Sequence, residues 1–130
     1  MYGRRKLGRM KVSRVQPETS VGIHYIIDID DVDAGMMIDN DNLIKICDKT
    51  LEIGEVHILK RMIHPFEPHG LTLLYLLTES HFSMHTWPEY QKIRIDFFSC
   101  EKNENRCNIV IEHLKNEFKG ATFKTKLLRR

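Results

Sequence analysis

The apolar run from Leu71 to Leu77, set between Gly70 and the polar Thr78, reads as a buried strand. Alternate side chains of a strand point to opposite faces, so Leu73, Tyr75 and Leu77 share one sheet face while Leu74 and Leu76 share the other. Both faces therefore need cover. Further on, Ile93, Ile95 and Phe97 alternate with Arg94, Asp96 and Phe98, so the second face is part apolar there too.

Around this strand the sequence predicts an α+β fold. Residues 22–29 form a first strand that runs into an acidic, glycine-containing loop. Asp39 or Asn40 caps a helix whose apolar positions, Leu43, Ile44, Ile46, Cys47, Thr50 and Leu51, recur at helical spacing, and Gly54 ends it. Strands follow at 55–63, 71–77, 81–86 and 90–98, with Pro65, Pro68, Gly70 and Pro88 interrupting them. A second helix spans 105–118, closed by Gly120, and residues 121–127 add a last strand. Two helices, each about 10 Å across, shield one face of such a sheet but not two. The uncovered face calls for a partner, most simply a second copy of the chain.

At 130 residues the chain fits one domain, here 21–130. Residues 1–20 carry Arg4, Arg5, Lys6, Arg9, Lys11 and Arg14 against one acid, Glu18, and read as a disordered leader without the apolar core of a secretory signal. A formal net charge of only +2 favours a solvated tail over a nucleic-acid-binding arm. No apolar run approaches the roughly 20 residues that cross a bilayer. Cys47, Cys100 and Cys107 are odd in number and lack Cys-x-x-Cys spacing, which points to a reducing cytosol and leaves at least one thiol available for chemistry.

Chemistry-bearing residues crowd into Thr78-Glu79-Ser80-His81-Phe82-Ser83-Met84-His85-Thr86-Trp87-Pro88-Glu89. Ser80 follows Glu79 where two strands meet, a place where a tight connection can press a hydroxyl against the preceding carbonyl carbon. On composition alone such a serine is more often a turn residue. His85 carries an imidazole, the side chain suited to proton transfer near neutrality. His81 and His85 stand four apart in an extended segment with no third ligand in view, so no metal site is predicted.

Glu79-Ser80-His81 followed by His85-Thr86-Trp87-Pro88-Glu89 closely resembles the self-cleavage motif of the pyruvoyl-dependent S-adenosylmethionine decarboxylases of bacteria and archaea. Phe66, Pro68 and Gly70 precede it at that family's spacing, Gly22 and His24 match its first strand, Asp96 and Cys100 its segment ending in cysteine, and Glu112-His113-Leu114-Lys115 its second helix. The resemblance covers roughly 21–118. The family's Cys-Gly is Cys100-Glu101 here, and Thr72 stands where the family commonly has serine.

The resemblance implies scission between Glu79 and Ser80, a covalent pyruvoyl cofactor derived from Ser80, and a Schiff base between that group and S-adenosylmethionine that releases carbon dioxide. The product would be the aminopropyl donor for spermidine synthesis. By the same resemblance His85 is the base in processing, Thr72 assists it, and Cys100 is the acid that protonates the substrate's α-carbon. Phe66 and Glu89 would bind substrate, the ring of Phe66 through a cation–π contact with the sulfonium. The protomer is implied to be a two-layer α/β unit that stacks on a second copy as an α/β/β/α sandwich, α2β2 after cleavage. Ornithine or arginine as the substrate, and an unprocessed regulatory relative, stay open at this level.

Overall fold

The computed structural model describes residues 19–100 and 104–130. Six strands form one antiparallel sheet: β1 (Ile23–Asp30), β2 (Ile58–Pro65), β3 (Leu71–Leu77), β4 (His81–Trp87), β5 (Lys92–Ser99) and β6 (Thr122–Arg129). Their spatial order is β2-β3-β4-β5-β1-β6. Among the described residues three helices accompany them, α1 (Ala34–Met37), α2 (Asn40–Ile53) and α3 (Glu104–Glu117).

The β3 prediction holds residue for residue, and its burial splits by face. Leu71, Leu73, Tyr75 and Leu77 are buried, whereas Leu74 and Leu76 remain 42% and 51% exposed. In β1 and β5 the same alternation buries Ile23, Tyr25, Ile27, Ile29, Ile93, Ile95 and Phe97. These side chains meet Leu43, Ile46, Cys47 and Leu51 of α2 and Cys107, Val110 and Leu114 of α3 in one core. One face is thus sealed and the other is open.

Local chemistry explains the helix ends. Asp39 caps α2 by accepting the Asn42 N–H at 3.1 Å, which satisfies a donor the first turn leaves bare. Gly54 closes α2 with φ −76°, so its value lies in close approach: a Cβ there would stand 2.4 Å from Val110 Cγ2 of α3. Tyr75 donates to Asp48 at 2.7 Å, and Arg61 pairs with the other Asp48 oxygen, tying α2 to β3 and β2.

The structure departs from the predicted elements where side chains bond to nearby backbone. The acidic loop after β1 holds α1, because Asp33 accepts the Met36 N–H at 3.1 Å and starts a turn. Strand β2 begins three residues later than predicted and reaches Pro65, which an edge strand tolerates. Residues Pro88–Tyr90 form a 3₁₀ turn, and β5 begins after Gln91, which sits in the left-handed region at φ 55°. The Gln91 side chain donates to Val32 O at 2.7 Å while Val32 N–H donates to Gln91 O, and this reciprocal pair fixes the turn.

Most of the predicted leader, residues 1–18, lies outside the described residues. Ser20, assigned to it by sequence, belongs to the folded part: it is buried and donates to the Arg130 carbonyl at 2.7 Å.

Candidate active site

The loop Thr78-Glu79-Ser80 joins β3 to β4 and is held from three sides. Leu77 N–H donates to Ser80 O at 2.9 Å, and Thr78 N–H donates to His57 O at 3.2 Å. From the end of β5, the Cys100 thiol donates to Glu79 O at 2.8 Å. Burial, and then the nearby Glu79 carboxylate, push the Cys100 thiol above the usual range, so it keeps its proton at neutral pH. A cleft of about 370 Å³ opens here, lined among others by Glu55, His57, Glu79, Ser80, Cys100 and Arg106. Glu101 lies outside the described residues.

A second cleft, about 420 Å³, opens at the other end of β4 and includes Phe66, Gly70, Thr72, His85, Trp87 and Glu89. Thr72 and His85 are direct cross-strand partners on the open face, and Thr72 Oγ1 lies 3.0 Å from His85 Nδ1. Buried Thr86 points the other way, accepting Leu71 N–H at 2.9 Å and locking that register. Phe66 and Trp87 are 49% and 40% exposed at the cleft's rim. Gly70 takes φ 123°, a backbone state open to glycine, and its carbonyl accepts Phe66 N–H at 2.9 Å, so the loop folds Phe66 back toward β4.

A family model described as S-adenosylmethionine decarboxylase matches residues 23–130. The chain belongs to that family. It is 35% identical to the S-adenosylmethionine decarboxylase proenzyme of Synechococcus over 103 residues, 77% of each chain. It is also 35% identical to the one of Thermoplasma acidophilum over 83 residues, 64% of this chain and 63% of that protein. Its fold is similar to the crystal structure of adenosylmethionine decarboxylase from Aquifex aeolicus, with TM-score 0.78, 21% identity, and coverage of 85% of this chain and 91% of that one. The matched region includes β6, which the sequence resemblance had left outside.

Within this decarboxylase-family chain the motif is divided. Glu79, Ser80 and Cys100 come together at one end of the sheet, while Phe66, Thr72, His85 and Glu89 gather at the other. Ser80 and His85 are five residues apart along an extended strand, about 16 Å at about 3.3 Å per residue. His85 therefore does not reach the Ser80 of its own chain. In sequence both residues fall in one motif, although a strand through 81–86 already implies this spacing.

Several residues in or beside these clefts went unassigned from sequence. Trp87 shares the β4 open face with His85, two positions on, and period-two counting finds it. Arg94 lies directly across from His85 and is held by Asp28 at 3.4 Å and Asp30 at 3.0 Å. Hydrogen bonds from Arg94 and Lys92 hold the Asp30 carboxyl below the usual carboxylate range. Arg106 enters the Ser80 cleft from α3, and no local sequence pattern marks it. Among the described residues, no group of three or more His, Cys, Asp or Glu side chains is close enough to hold a metal ion, and no helix is long and apolar enough to cross a membrane.

Proposed function

We propose that the chain is a self-processing S-adenosylmethionine decarboxylase whose folded unit, residues 20–130, cuts itself between Glu79 and Ser80 and keeps residue 80 as a pyruvoyl group. The observation that carries this reading is the 2.8 Å hydrogen bond from Cys100 Sγ to Glu79 O, since that carbonyl carbon is the one Ser80 Oγ must attack. A proton donor on this oxygen polarises the carbon and takes up negative charge as it develops.

The processing steps balance as follows. Ser80 Oγ bonds to the Glu79 carbonyl carbon, the 79–80 C–N bond breaks, and the hydroxyl proton passes to the Ser80 nitrogen, leaving an ester. A base removes the Ser80 α-proton, the Cβ–O bond breaks, and the electron pair departs on the Glu79 carboxylate. Residue 80 is then dehydroalanine with a terminal nitrogen; one water hydrolyses its imine tautomer to pyruvoyl and ammonia. The Ser80 carbonyl survives as the amide to His81, so the 2.9 Å bond from Leu77 N–H continues to hold it. These residues fit the group they would generate.

Once formed, the pyruvoyl group supplies an activated ketone that engages the substrate's α-amine and draws off the electron pair freed when carbon dioxide leaves. Cys100 holds a proton at Sγ for delivery to the substrate's α-carbon, and its raised pKa supports that role. His85 serves as base through Nε2 when Nδ1–H donates to the Thr72 hydroxyl oxygen, the geometry of the 3.0 Å pair. Phe66 and Trp87 offer ring faces to the sulfonium and adenine, and Glu89 accepts hydrogen bonds from the ribose. A reducing cytosol suits an acid that must stay a thiol.

The divided motif supports a homodimer, α2β2 after the cut. Six strands at about 4.8 Å and eight residues at about 3.3 Å give a face of roughly 750 Å², close to the ~800 Å² per partner of a standard interface. Met62, Leu74, Leu76 and Leu128 stand exposed on it. A two-fold axis between two open faces, running across the strands, lays the Ser80 end of one β4 over the His85–Glu89 end of the other. Two composite sites result.

The test is Ser80→Ala, which should leave one uncut chain, paired with carbon dioxide release from labelled S-adenosylmethionine, ornithine and arginine by the unmodified protein. Release from the first alone is expected. A cut Ser80→Ala chain, or turnover of only the other two acids, contradicts the proposal.

A further inference from the structure

Scission creates a charge as well as a ketone. The Cβ–O bond that breaks releases Glu79 with a new α-carboxylate beside its own side-chain carboxylate, in a cleft that already contains Glu55. Left where the Glu79 carbonyl now sits, that carboxylate would occupy Cys100 Sγ and repel the substrate's own carboxylate. A working site needs it moved aside and kept there.

Among the described residues lining this cleft, the one arginine or lysine is Arg106, from the first turn of α3. Its Nη2 lies 3.3 Å from Glu55 Oε1, with the two side chains 48% and 74% exposed, an ion pair weak enough to exchange. The chain just before the cut is tethered, because Thr78 N–H donates to His57 O at 3.2 Å and His57 lines the same cleft. The new terminus, one residue beyond that tether, therefore stays within the cleft that Arg106 enters.

We infer that Arg106 is the receptor for the carboxylate terminus produced at Glu79, exchanging Glu55 for it after the cut. This rests on the self-cleavage reading above. A guanidinium offers two parallel N–H donors to a carboxylate, a better match than the exposed 3.3 Å ion pair it makes with Glu55. Docking there draws the terminus toward the α3 side of the cleft and leaves the Cys100 thiol facing the substrate. Glu55 is a competitor in this scheme, holding Arg106 until the stronger anion appears.

The experiment uses the full, naturally processed chain and a carboxypeptidase, with intact mass recording the loss of Glu79 from the fragment 1–79. Arg106→Ala should be trimmed on the order of three- to fivefold faster than the unmodified chain, and Arg106→Lys should fall between. Glu55→Gln should be trimmed more slowly, because Arg106 then has no competitor. Arg106→Ala and Glu55→Gln remove the same ion pair, so mere loosening of the cleft would speed trimming in both and would overturn the inference. Equal trimming of Arg106→Ala and the unmodified chain would overturn it as well. An uncut unmodified chain would sink both this inference and the self-cleavage reading, whereas a cut chain indifferent to Arg106 would sink this inference alone.

Discussion

Co-expression of Ser80→Ala with His85→Ala tests the division of the site between two copies. If Ser80 and His85 belonged to one protomer's site, each variant chain would be dead wherever it sat, and mixing would restore nothing. The separation of about 16 Å along β4 predicts otherwise. With equal amounts and random pairing, about one half of the dimers carry one chain of each kind. Each mixed dimer has one composite site lacking both groups and one with both intact. Activity should therefore recover to about one quarter of the unmodified level, against near zero for either variant alone. The assay is carbon dioxide release from labelled S-adenosylmethionine on the whole mixed pool, without selection of the mixed dimers. Activity no greater than the sum of the separate variants would refute the two-copy arrangement.

Further perturbations read out other parts of the account. Cys100→Ala should process slowly and, once cut, decarboxylate poorly or misplace the proton, as product analysis in deuterated water would reveal. Thr72→Val removes one hydrogen bond from His85 Nδ1 and should slow processing roughly threefold to tenfold, measured as the uncut fraction over time. In uncut Ser80→Ala protein the Cys100 thiol should react with an alkylating reagent at a midpoint above that of an ordinary thiol, since burial and Glu79 both disfavour the thiolate. Adding Glu79→Gln removes the second cause, so the midpoint should fall, and a rise would contradict the assignment. Phe82, fully buried between Tyr75 and Phe97 at ring distances of 5.6 and 5.9 Å, should cost about 3–5 kcal/mol on change to alanine, read by urea unfolding.

What the sequence made legible follows from how local each signal is. The alternation in β3 and β5 and the Asp39 cap of α2 are decided within a few residues, so the strands, the main helix and the uncovered face could be read directly. The α1 turn escaped because four residues give no periodicity and only the Asp33 side chain starts it. The 3₁₀ turn at Pro88–Tyr90 escaped because it depends on Gln91 and Val32, far apart in the chain, bonding reciprocally. The motif named the reactive residues but not their grouping: Ser80 finds Cys100 through β4–β5 pairing, and His85 finds Thr72 through β3–β4 pairing, at opposite ends of one strand.

Intact mass of freshly purified, unmodified protein decides whether the chain cuts itself between Glu79 and Ser80. Two pieces are expected, 1–79 and 80–130, the second lighter by one ammonia than a serine-started fragment and resistant to amino-terminal sequencing. A single mass for the whole chain, or a second piece beginning with ordinary serine, would contradict that expectation.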